Sequence, residues 1–324
     1  MARGLRTTLI VVGLALLGAA IWGALTVYPW IKPPPEDPEV IARRWAHVES
    51  LAEVSEASGR PLEELGELPA FSLDGLPLVE QRPPYDELAN IDELPPEVAA
   101  AIDALVQWHH RGGGLGPERC PHVGERPFPL LKVFELARVA LHVSTTADDA
   151  PALAVLQLAE HLRDRGPLLD GAVGLALAKE SVRWARARGY PPTGALLERR
   201  PRAPQVVAML AREMVCSFEL VERELSRELQ PGKDAPVPAG LIGYERERAM
   251  VQWYWGERLH GVSKDTSLET LAARLRDDDD LEALPKSVLL RALAVPMAGR
   301  VEDAARTIAD YDAFVEGRPP LADE

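Results

Sequence analysis

Residues 9–27 (LIVVGLALLGAAIWGALTV) run 19 positions without a charge or a proline, inside a longer stretch from Thr7 to Ile31 that carries no charged side chain. A helix of that length measures about 28 Å, close to the ~30 Å hydrocarbon core of a bilayer. The segment is therefore read as a membrane-spanning signal anchor at 9–28. Arg3 and Arg6 precede it, whereas Glu36, Asp37 and Glu39 follow Lys32. The positive-inside rule then places residues 1–8 in the cytoplasm and the rest of the chain outside the cell (inner) membrane, in the periplasm. Tyr28 and Trp30 are amphipathic rings suited to the outer headgroup boundary. A cleaved signal peptide is the competing reading, with Gly18-Ala19-Ala20 as its cleavage site. The apolar run nevertheless continues through Ile21, Trp22, Leu25 and Val27, longer than the usual 7–15-residue apolar region of such peptides. Ala15, Ala19 and Gly23 share the small-xxx-small spacing that lets membrane helices pair, although in a span this rich in Ala and Gly they read as lipid-facing filler.

The whole chain of 324 residues carries 36 Lys+Arg against 50 Asp+Glu, a formal charge of −14. Removing the first 32 residues takes away three basic side chains and no acid, leaving 33 against 50, a net of −17. Such a surface argues against nucleic acid as a partner, because phosphate binding needs an excess of cations to displace counterions. It also favours standing off anionic lipid. Residues 29–38, with five prolines, read as a stiff spacer between the anchor and the outer domain at 39–324.

From residue 38 onward the apolar period is that of a helix, and the predicted fold class is all-α, a multi-helix bundle or array of helical hairpins. Ile41, Trp45, Val48, Leu51 and Val54 line a first helix that Gly59-Arg60-Pro61 stops. Residues 62–96 hold seven prolines or flank them, and read as an extended strap with a short strand at 76–79. Pro95-Pro96-Glu97 starts a helix that ends at Gly112-Gly113-Gly114. Helices are then expected at 129–145, 149–165, 167–188, 204–229, 241–259, 267–276, 284–293 and 299–315. Short links at Asp148-Asp149 and Gly166-Pro167 make the first three of these antiparallel neighbours. Helix 167–188 is apolar nearly all round for three turns, which predicts a central position against the three long helices around it.

Ala152-Leu153-x-x-Leu156-x-x-Ala159 resembles the second helix of a tetratricopeptide hairpin, as does Gly299 followed by Ala304-Ala305-x-x-Ile308. The resemblance implies helical hairpins, whose concave faces suit protein ligands. The overall layout also resembles single-pass bacterial membrane proteins with a helical extracytoplasmic domain, a group that brings no activity with it.

Cys120 and Cys216 are the two cysteines. In an oxidising compartment they read as one disulfide, while Cys216 alone, within Met214-Val215-Cys216-Ser217-Phe218, also suits a small buried hydrophobe; both readings stand. His109, His110, Cys120 and His122 offer zinc-type donors, yet their spacing matches no known finger and adjacent histidines on a helix diverge by about 100°, so they read as surface groups. His142 falls with Lys132, Glu135 and Arg138, and His161 with Gln157, Glu160 and Asp164, on what read as solvated faces. Glu180 shares a stripe with Leu169, Val173, Leu177 and Trp184, and is expected to be a buried charge paired with Lys179, Arg183 or a base from another helix. The acidic run 277–280 lacks calcium-loop spacing and reads as a solvated linker. No catalytic residues, cofactor or metal site are assigned. The function expected is a membrane-anchored protein-binding or scaffolding module, with a protein partner or a second copy of the chain in a homo-oligomer as its ligand; the alternative is a membrane-tethered hydrolase of cell-envelope polymers, using Glu180 or the His109–His122 region.

Overall fold

The computed structural model describes residues 34–53, 68–80, 84–85, 94–112, 130–192, 194–228, 244–276 and 297–320. The expected anchor at 9–27, the helix expected at 284–293 and the acidic run at 277–280 lie outside them. Among the described residues every regular element is a helix: α1 Pro38–Ala52, α2 Pro77–Glu80, α3 Pro96–His110, α4 Leu130–Val143, α5 Ala150–Arg165, α6 Leu168–Arg188, α7 Ala195–Glu198, α8 Ala203–Glu228, α9 Tyr244–Arg258, α10 Leu268–Leu275 and α11 Ala298–Val315. None of these is long and apolar enough to cross a membrane.

Local chemistry sets the ends. Asp37 caps α1 by accepting from the Glu39 amide at 2.8 Å, and Ser267 caps α10 through the Thr270 amide at 3.2 Å. Gly189 ends α6 in the left-handed region at φ 62°, where a side chain would be strained, and both its amide and that of Tyr190 return to Ala185. Of residues 76–79, expected as a short strand, Pro77, Leu78 and Val79 instead belong to the helical turn α2 and Leu76 precedes it. With Pro77 opening it and no neighbouring strand described, an extended segment there has no ladder to join.

Two apolar cores result. The first gathers α3, α4, α5 and the second half of α6, with Leu76, Tyr85, Leu196 and the Tyr311–Phe314 end of α11. The second gathers α1, α8, α9, α10 and the start of α11, with Leu168 and Leu175 from the first half of α6. Helices α6 and α11 thus run through both. The expected centrality of α6 holds: it packs on α4, α5 and α8, and on α11 as well. Its apolar belt is not fully enclosed, because Leu169 stays 57% exposed at the helix start.

Two α6 glycines mark close approaches. A Cβ on Gly174 would lie 2.6 Å from the Ala159 carbonyl oxygen of α5, and one on Gly171 would lie 2.2 Å from Cε of Met209 on α8. The turn between α5 and α6 is closed by Arg212 of α8. Its guanidinium donates to the carbonyls of Gly166 at 2.9 Å, Asp164 at 2.6 Å and Arg163 at 2.7 Å, supplying partners for orphan acceptors at a helix C-terminus.

Candidate functional site

The polar faces of α4 and α5 that read as solvated are covered. This corrects the sequence expectation, and the reason is specific: each faces another polar surface supplied by a non-helical or distant segment.

On α4, His142 is buried and Glu135 and Arg138 are largely enclosed, while Lys132 alone of the four stays exposed. Their cover is Tyr85, from the strap. Its ring lies 4.5 Å from that of His142 at a 36° tilt, and its hydroxyl donates to Glu180 Oε2 at 2.7 Å. Glu180 also meets Arg183 at 2.8 Å and Arg138 Nε at 3.6 Å. The expectation of a basic neighbour from α6 and from another helix is met by these two arginines; Tyr85 was not anticipated. Burial, then the negative charge of Glu180, pushes the Tyr85 hydroxyl well above the ordinary tyrosine range, so it stays a donor.

On α5, Gln157 is buried, and Glu160, His161 and Asp164 are partly so. The end of α3 covers one side, with Trp108 edge-on to His161 at 5.9 Å. His109 Nδ1 bonds Gln157 Oε1, and Arg199 Nη2 donates to the same oxygen at 3.5 Å. Arg199 Nε donates to Glu160 Oε2 at 3.1 Å, and Gln205 at the start of α8 bonds Asp164. Tyr190 donates to Asp149 beside this strip, a bond that raises its hydroxyl to about 12 with a smaller contribution from burial.

The titratable groups here are shifted in opposite senses. Burial holds His109 below its ordinary value, partly countered by the Gln157 bond. Burial, then the like charge of Asp164, holds Glu160 above its own, against the pull of Arg199. Beneath them Arg163 is fully enclosed and donates to the Gly174 carbonyl at 3.2 Å and the Arg199 carbonyl at 2.7 Å. Arg163 therefore ties the backbone that carries Arg199 to the α5–α6 pair. The polar strip is set on a rigid base.

No family model, curated protein or solved structure matches the chain. Roles are accordingly argued from its own side chains.

The remaining expected site residues fall as follows. Cys216 on α8 is half-buried and disulfide-bonded; the other cysteine of the sequence, Cys120, lies outside the described residues. His109 and His110 rings sit 5.5 Å apart at the end of α3, while His122 is also outside the described residues. Among the described residues no group of three or more His, Cys, Asp or Glu side chains is placed to hold a metal ion. Gly112, at φ 70°, ends α3 as the glycine run predicted. His142 and His161 are not brought together as a pair: each is assigned to its own interface. Tyr85 was missed because nothing in its Pro-rich neighbourhood distinguishes a ring that inserts from one that does not.

Proposed function

We propose that the chain is a protein-binding scaffold held to the bacterial inner membrane by residues 9–27, its helical domain lying on the outer side. The observation that carries this reading is the way the enclosed charges are engaged. Glu180 is held by Tyr85, Arg138 and Arg183, Glu160 by Arg199, and the guanidiniums of Arg163 and Arg212 by backbone carbonyls. Charges disposed in this way fix interhelical geometry, the requirement of a surface that presents a shape to another protein. Two further facts support the location. The disulfide of Cys216 belongs to an oxidising compartment, and the chain after residue 32 has a net charge of −17, which favours keeping it clear of anionic headgroups.

The alternative, a hydrolase of envelope polymers, needs a carboxylate open to substrate, and Glu180 is committed to three partners. Two measurements test the leading reading. Alkaline extraction and external protease treatment of membranes should leave the chain membrane-bound and digest its domain from the outer side. Cross-linking in gently solubilised membranes, followed by purification through a C-terminal tag, should recover a specific protein or a second copy of the chain. Recovery of neither, with turnover of an envelope polymer by the purified chain, would overturn it.

A further inference from the structure

Helix α3 passes from buried to exposed within one turn. Trp108 is 1% exposed in the first core, edge-on to His161 of α5, and the next residue, His109, lies half-buried in the seam between α3 and α5 with Nδ1 on Gln157 Oε1. His110, Arg111 and Gly112 are exposed. The last backbone bonds of the helix run from the Arg111 amide to the Gln107 carbonyl at 3.1 Å and from the Gly112 amide to the His109 carbonyl at 3.0 Å, and Gly112 leaves at φ 70°.

The groups around the His109 ring are arranged for a neutral imidazole. Arg199 Nη2 lies 3.5 Å from the same Gln157 oxygen, so a charged ring would share that atom with a guanidinium. The carboxylates of α5 and its start are each taken by another donor: Glu160 by Arg199, Asp164 by Gln205 and Asp149 by Tyr190. On α3 itself the His110 ring is 5.5 Å away and Arg111 follows it. The other helix packed on α3 is α4, which turns Glu135, Arg138 and His142 toward Glu180 and Tyr85 and leaves Lys132 exposed.

We propose that this seam is a proton-operated latch: in acid the His109 ring leaves Gln157, the turn from His109 to Gly112 unwinds, and Gln157 passes to Arg199, while Trp108 keeps the rest of α3 in place. Burial is the largest influence against a positive ring in the closed seam; the Gln157 bond favours one, Arg199 and His110 oppose it, and Asp149 favours it, the balance lying below the ordinary histidine value. A closed seam that binds the proton less tightly than an open one is opened by it. The latch is therefore fully shut above about 6.5, and its closing energy is lost as pH falls through the lowered value of the closed state. It operates whether or not the domain binds another protein.

The test is amide hydrogen exchange on the full chain in detergent, corrected for the intrinsic dependence of exchange on pH. From pH 7.5 to 5.0 the Arg111 and Gly112 amides should lose about fivefold or more of their protection, while those of residues 102–106 stay constant. In His109→Asn, whose amide still reaches toward Gln157 without titrating, the loss should vanish; His110→Asn should retain it. Constant protection in the parent, or a loss that persists in His109→Asn, overturns the latch. If His109→Asn loses helical circular dichroism, the carbon-13 signals of labelled histidine in the parent decide instead. A His109 midpoint below that of an unfolded-chain histidine is expected, and one at or above it overturns the proposal.

Discussion

Arg212 concentrates a large share of the α5–α6 turn in one planar group. Replacing it by leucine leaves three carbonyls at the end of α5 without their donors, and the urea midpoint should fall by the equivalent of about 3 kcal/mol or more. Lysine should recover only part of this, because an ammonium cannot span three acceptors as a fork does. The burial that makes the residue so costly to lose also brings its own ionisation down to about 10, still far above neutral pH. His109 predicts a pH signature. Its folded value is lowered, so the stability it contributes as a neutral ring is present above the ordinary histidine value near 6.5 and is lost as pH falls through the lowered folded value. Glu160, raised by burial, works in the opposite sense: its contribution is present below about 4.5 and is lost as pH rises through its folded value. Comparing the parent with His109→Asn isolates the first effect. Between pH 7.5 and 5.5 the parent should lose denaturation midpoint relative to the variant, and a constant difference would assign His109 no linkage.

Helix α6 shows how much of the elements was legible beforehand. Its length, its glycines as close-contact points and three of its neighbours follow from an apolar pattern at helical spacing, because such a pattern has one physical solution, burial; α11, distant in sequence, was not anticipated. Polar spacing has two. Lys132, Glu135, Arg138 and His142 repeat as they would on a wet surface, and nothing in that repeat says that Tyr85 will arrive from a segment some fifty residues earlier. Gln157, Glu160 and Asp164 mislead for the same reason, their cover being Arg199 and Gln205. The strand expected at 76–79 failed because four apolar residues with no strand beside them cannot outweigh a proline at the first helical position. The glycines give a graded prediction. Gly174→Ala meets the carbonyl oxygen of Ala159, which moves only with its helix, whereas Gly171→Ala meets the flexible end of Met209. Thermal melts should show the Gly174 change costing about 1–3 kcal/mol and the Gly171 change distinctly less.

At the scale of the whole molecule the two cores are not two domains, since α6 and α11 each enter both. Unfolding should consequently be a single transition. Trp108 and Trp184 report on the first core and Trp45 and Trp255 on the second, so tryptophan fluorescence and far-ultraviolet dichroism should trace one superimposable curve. Replacing Tyr311 by alanine removes its bond to the Leu196 carbonyl at 2.7 Å and opens the first core at the α11 end; a biphasic curve there, absent in the parent, is the expected sign that the tie has been cut. The start of α1 carries a consequence of a different kind. Glu36 is pinned to Arg44 at 2.7 Å immediately before the Asp37 cap, so among the described residues the helical body is fixed from that point. Were residues 9–27 to span a bilayer, as proposed, the eight residues 28–35 would be the whole link, and eight residues at the ~3.1 Å rise of a polyproline helix reach about 25 Å. A body tethered in that way would explore a thin layer over the lipid rather than a volume, and would meet what lies in that layer as often as if it were far more concentrated.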